Sequence, residues 1–113
     1  MSVSRPEPER PLPACVAMRL EALYELCLEH RVRRLALFGS ATRDDFDPAR
    51  SDIDLVVEFQ PMPPTEHAQH FFALLEALRE LFHRPVDLVE SIAVRNPYRH
   101  ARIMAQQVPL YAA

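Results

Sequence analysis

Apolar residues recur along this chain in two rhythms, and the switches between them outline its elements. From Pro13 to about His30 they fall at Val16, Leu20, Leu23 and Cys27, with Leu26 beside them, the spacing of one helical face. Residues 34–38, RLALF, are a short apolar run that stops at Gly39 and predicts a strand. In IDLVVEF, residues 53–59, the period drops to two. Ile53, Leu55 and Val57 face one way; Asp52, Asp54 and Val56 face the other. The break PMPPT precedes a long helix with the stripe Phe71, Leu74, Leu75, Leu78, Leu81 and Phe82, and with Glu76, Arg79 and Glu80 outside it. Pro85 opens a further strand, VDLVE, residues 86–90. Asn96-Pro97 reads as a cap followed by a first-turn proline, starting a helix to about Gln106. Its expected inner face is Tyr98, Ala101, Met104 or Ala105, and Val108. A last strand, VPLY at 108–111, is restricted to a sheet edge by Pro109.

This order, α-β-turn-β-α-β-α-β without an internal repeat, predicts an α/β (α+β) fold in which helices cover a mixed β-sheet. At 113 residues the chain is one domain, expected over 13–113, after a proline-rich, flexible leader over 1–12. A hydrophobic share of 49% with 26% charged residues fits a globular protein. No apolar run approaches the ~20 residues that span a bilayer, and the leader lacks the apolar core of a signal peptide. Cys15 and Cys27 fall in one predicted helix, about 18 Å apart along it, too far for a disulfide. Both points place the chain in the cytoplasm, away from membranes. The net charge of −3 argues against direct nucleic-acid binding by general phosphate neutralisation. Arg31, Arg33 and Arg34 read as a solvated helix end, favoured by the partial negative charge there.

Gly39 is the only glycine of the chain, which makes its other turns with prolines, Asp and Asn. Lacking Cβ, it marks a place where φ is positive or where something approaches the backbone closely. Asp52 and Asp54 project from one strand face about 7 Å apart, an arrangement disfavoured by repulsion unless a cation neutralises it. Oxygen-only ligands suit Mg²⁺ or Mn²⁺. If the 86–90 strand pairs beside 53–59, Asp87 joins them, and three carboxylates can hold two metal ions. Gly39-Ser40, closing a strand and opening a turn, offers N–H groups and a hydroxyl to an anion. Arg43 adds a positive charge one turn on. Residues 41–51, polar and containing Pro48, predict a turn of helix and a loop. His67 and His70 read as an exposed helix start rather than a metal pair; His30, His83 and His100 stand alone, and Tyr98 and Tyr111 read as packing residues.

LFGS at 37–40, SDIDLVV at 51–57 and VDLV at 86–89 together resemble the polymerase-β-type nucleotidyltransferase superfamily, and its short form, the minimal nucleotidyltransferases (MNT-type). The ending RNPYRHARIMAQQVPLYAA also resembles theirs. The spacer from Ser40 to Asp52 is eleven residues, and Asp44 stands where many relatives have glycine. The resemblance implies a nucleotidyltransferase fold. It implies that Asp52, Asp54 and Asp87 bind two Mg²⁺ ions, with Asp87 helping to deprotonate the nucleophile. It also implies that Gly39 and Ser40, with Arg43, bind ATP or another NTP. The reaction would carry AMP to a hydroxyl. A separate protein would present that hydroxyl, against a surface formed by the Tyr98–Tyr111 segment and the leader. In the MNT-type family that protein is a HEPN-domain toxin, modified on a tyrosine by the antitoxin of a type VII-like toxin–antitoxin pair, with which an assembly is expected. Two other readings stay open: an antibiotic-type small-molecule nucleotidyltransferase, and a non-catalytic antitoxin that neutralises its partner by binding.

Overall fold

A computed structural model describes residues 12–39 and 52–113. The expected leader (apart from Leu12), Ser40, Arg43, Asp44 and the turn expected over 41–51 lie outside the described residues. The elements are α1 (Ala14–Ala17), α2 (Leu20–Glu29), β1 (Val32–Phe38), β2 (Ile53–Phe59), α3 (Pro64–Phe82), β3 (Val86–Glu90), a 3-10 turn (Ser91–Ala93), α4 (Pro97–Gln106) and β4 (Val108–Ala112).

The strands form one sheet in the order β3-β2-β1-β4. β1 runs antiparallel to β2 and β4, while β2 and β3 are parallel. A parallel neighbour needs a crossover, and α3 supplies it. The sheet is therefore mixed, as its sequence predicts, and Pro109 lies on the edge strand β4, where its missing N–H costs no ladder bond.

Strand alternation divides the core in two. Leu35, Leu37, Ile53, Leu55, Val57, Val86 and Leu88 face the helical layer, meeting Val16, Leu23, Cys27, Leu74, Leu78 and Phe82. Ala36, Phe38 and Val56 face the other side, where α4 lays Ile103 over them. Two irregularities adjust this division. A register shift between Val32 and Arg34 returns Val32 to the helical side, and another opposite Leu35 and Ala36 lets both Leu110 and Tyr111 enter the same core.

Three expectations are corrected. The helix expected over 13–30 is broken at Met18-Arg19. There the Arg19 N–H donates to Val16 O at 3.0 Å, and the Arg19 guanidinium donates to Cys15 O at 3.0 Å, the carbonyl an unbroken helix would have offered to the Arg19 backbone. β1 starts at Val32 rather than at Arg34, so Arg33 joins the strand expected over 34–38 instead of a helix end, and Arg31 has a left-handed φ of 57°. The inner face of α4 is not the expected one. Tyr98 is 83% exposed, Met104 38%, and Ala101 and Ala105 are also exposed, whereas Ile103 is buried. The helix is oriented by its cap, where Asn96 Oδ1 accepts from the N–H groups of Tyr98 (2.9 Å) and Arg99 (3.1 Å). The face then runs through His100, Ile103 and Gln107, one large apolar residue over a small patch of sheet. Tyr98 is thus not a packing residue; Tyr111, 1% exposed, is.

Candidate active site

β1 ends at Phe38, whose register partner across the antiparallel pair is Asp54. Asp54 is in turn aligned with Asp87 across the parallel pair β2–β3. Ile53 N–H donates to Pro85 O at 3.1 Å, which fixes this register at the start of both strands. Neighbouring strands lie about 4.8 Å apart, so Gly39, Asp54 and Asp87 step across the sheet at one end of it. Alternation puts Asp52, Asp54 and Asp87 on the face of Val56 and Val89, the face that α4 covers. The pairing on which the third aspartate depended is thus present in the backbone.

The side chains do not close into a ready cage. Among the described residues, no group of three or more His, Cys, Asp or Glu is gathered closely enough to hold a metal ion. Asp52 and Asp87 are exposed and Asp54 is half-buried. Water solvates such carboxylates separately, and their repulsion keeps them apart. The donor set still suits a hard divalent cation: three oxygen ligands share a face, two are in register, and the two outer ones are free to rotate.

The space left by the missing Cβ of Gly39 has an occupant. The residue has φ +71°, and an added Cβ would fall on Asp54 Oδ2, with Cγ 3.1 Å away. The close approach expected of a ligand is made here by the chain's own carboxylate. Gly39 and Asp54 are consequently one unit: the turn leaves room for the acid, and any side chain at position 39 would have to push the carboxylate out of that place.

Beyond Gly39 the same face opens into a cleft of about 200 Å³ lined by Phe38, Gly39, Arg99, Arg102, Ile103 and Gln106. Arg99 and Arg102 did not figure among the sequence-derived candidates. The signal was there: from Ser91 to Ala113 the chain has Arg95, Arg99 and Arg102 and no Asp or Glu.

The histidines also depart from expectation. His67 and His70 are half-buried and point to different partners. His67 Nε2 contacts Glu90 Oε1, and its ring meets Phe59 at 5.2 Å between centroids. The pair lines a cavity of about 170 Å³ at the opposite end of β2 and β3. His70 Nδ1 lies 3.2 Å from His30 Nδ1, one ring donating and the other accepting. His30 is therefore not isolated.

The family model of the nucleotidyltransferase domain matches residues 20–107. The chain belongs to that family. As a nucleotidyltransferase it is an enzyme, and domains of this kind generally use divalent metal ions. Over 70 residues this nucleotidyltransferase is 39% identical to a Methanocaldococcus jannaschii protein named "Putative protein adenylyltransferase MJ0128", covering 62% of the chain and 67% of that protein. A solved structure described as a minimal nucleotidyltransferase, itself assigned only as putative, superposes with a TM-score of 0.65 at 30% identity, covering 84% of this chain and 92% of that one. A crystal structure of a toxin–antitoxin with AMP-PNP shares the fold, with a TM-score of 0.60 at 18% identity and coverage of 83% and 73%. Among the described residues, no helix of the nucleotidyltransferase is long and apolar enough to cross a membrane.

Proposed function

We propose that this nucleotidyltransferase transfers AMP from ATP to a tyrosine hydroxyl of a HEPN-type toxin protein, acting in the cytoplasm as the antitoxin of a type VII-like pair. The observation that carries the chemistry is the alignment of Asp54 with Asp87 beside Gly39. The name of the archaeal relative supports protein adenylyl transfer, and the toxin–antitoxin crystallised with AMP-PNP supports both the adenine nucleotide and the kind of partner.

Asp52, Asp54 and Asp87 would hold Mg²⁺, as two ions, or Mn²⁺ in its place. Bound there, the metal would neutralise phosphate charge and lower the barrier to attack. Gly39, with Ser40 and Arg43 beyond it, would place the triphosphate with its α-phosphorus toward the carboxylates. Asp87, exposed at the rim, is free to accept the proton of the incoming hydroxyl. The hydroxyl oxygen then bonds to the α-phosphorus, the bond from that phosphorus to the bridging oxygen breaks, and pyrophosphate leaves. Asp54, fixed against Gly39, holds its position throughout, so positioning rather than covalent chemistry is the protein's main contribution.

The test is to incubate the protein with Mg²⁺-ATP and its co-encoded partner and weigh the intact partner. A gain of one or more adenylate units, absent with Asp54→Asn, is expected. An unmodified partner held in a tight, inactive complex would replace this reading with steric neutralisation. Modification of an aminoglycoside-like alcohol in preference to the partner would replace it with a small-molecule enzyme.

A further inference from the structure

A face carrying three carboxylates repels a polyphosphate wherever metal does not intervene, so the remainder of the phosphate chain needs cations from elsewhere. Among the described residues, the cations of the Gly39 cleft are Arg99 and Arg102. They stand three apart on α4 and so share a side of the helix. Both line the cleft of about 200 Å³ whose opposite wall is Phe38 and Gly39. Among the described residues neither guanidinium has an ion-pair partner, in contrast to Arg79, which reaches Glu76 at 3.1 Å. No acidic residue occurs anywhere from Ser91 to Ala113 to compensate them.

The character of the cleft selects among occupants. Phe38 and Ile103 are already buried against each other and the sheet, so the floor offers little bare apolar surface to an aromatic ring. What it does offer is two guanidinium forks and the Gln106 amide. A guanidinium binds phosphate through paired N–H donors in a fixed plane. That chemistry suits an anion with several oxygens.

We propose that Arg99 and Arg102 form a subsite for the phosphate tail, facing Gly39 across the cleft and holding the terminal phosphates of the nucleotide and then the departing pyrophosphate. The inference rests on the nucleoside triphosphate reading above. It assigns to α4 a role in recognising how many phosphates a ligand has, independent of its base.

Calorimetric titration in Mg²⁺ buffer with adenosine, AMP, ADP, ATP and pyrophosphate tests it, on wild type, Arg99→Gln/Arg102→Gln and Arg99→Lys/Arg102→Lys. Wild-type affinity should rise with phosphate number. The glutamine pair should bind ATP and pyrophosphate about tenfold more weakly for each guanidinium lost, with AMP little changed. The lysine pair should recover part of the loss, and higher salt should narrow the difference. Thermal melts should not move, since both side chains are exposed. Wild-type ATP affinity in the glutamine pair would overturn the subsite and leave the triphosphate reading standing. A wild-type protein that binds no nucleotide would overturn both. Normal ATP binding with loss of the protein partner would assign the two arginines to a protein interface and overturn the subsite.

Discussion

Arg31 and His83 adopt φ of 57° and 52° without being glycine, so a left-handed backbone alone is not what reserves position 39. The difference lies in the space beside it, which Asp54 fills. Gly39→Ala therefore has two separable costs. The φ of +71° is unfavourable for alanine by about 1–2 kcal/mol, while the new methyl must displace a carboxylate whose far end can swing away. We expect the fold to survive with Tm lowered by several degrees, about 4–8 °C per kcal/mol in a domain of this size, and transfer to be lost with Asp54. A variant with undiminished transfer would show that the carboxylate does not need its place against the turn. At this scale the sequence was legible where strict alternation governs, as for Asp52, Asp54 and Val56. It pointed to a close approach at Gly39 but not to what approaches, because the contact joins residues fifteen positions apart.

Elements were read well where one cause fixes both ends. β2 and β3 begin and end as expected, each bounded by turn residues, and α3 carries its predicted stripe, with Leu74, Leu78 and Phe82 buried. The break between α1 and α2 was not legible, since Val16, Leu20, Leu23 and Cys27 suit a continuous helix. α4 misled for another reason: Tyr98, Ala101 and Met104 look like an inner face only if the helix has a broad apolar surface to cover. The C-terminus of α2 is tied to α3 through the His30–His70 contact. Burial lowers the His30 pKa, His70 adds to the fall, and Glu29 opposes it. The folded protein thus binds fewer protons than the unfolded chain below the ordinary histidine value of about 6.5. That contribution to stability is complete above pH ~6.5 and is lost as pH falls through the window down to the depressed value. Melts at pH 7.5 and 5.5 should show less of a drop in His30→Gln than in wild type; equal drops would place the acid sensitivity in other groups.

The whole molecule offers a coarser check of the same site. A nucleotide and metal that bind only the folded state stabilise it by ~2.7 kcal/mol at a hundredfold excess over Kd. Mg²⁺-ATP should raise Tm, EDTA should remove most of the rise, and Mg²⁺ with adenosine should not reproduce it. Failure of Mg²⁺-ATP to move the melt at millimolar concentration would count against the carboxylate face as a binding site. The helices on the two sides of the sheet also differ in sign. α2 and α3 carry Glu21, Glu25, Glu29, Glu66, Glu76 and Glu80 against Arg79, while α4 on the other side carries Arg99 and Arg102 and no acid. A protein of net charge −3 would be expected to repel an anion from every side. Here an anion approaching α2 and α3 meets like charge, whereas on the α4 side the two guanidinium groups offset part of the charge of Asp52, Asp54 and Asp87. Approach is thereby biased toward the side that holds the cleft while solvent still separates the partners.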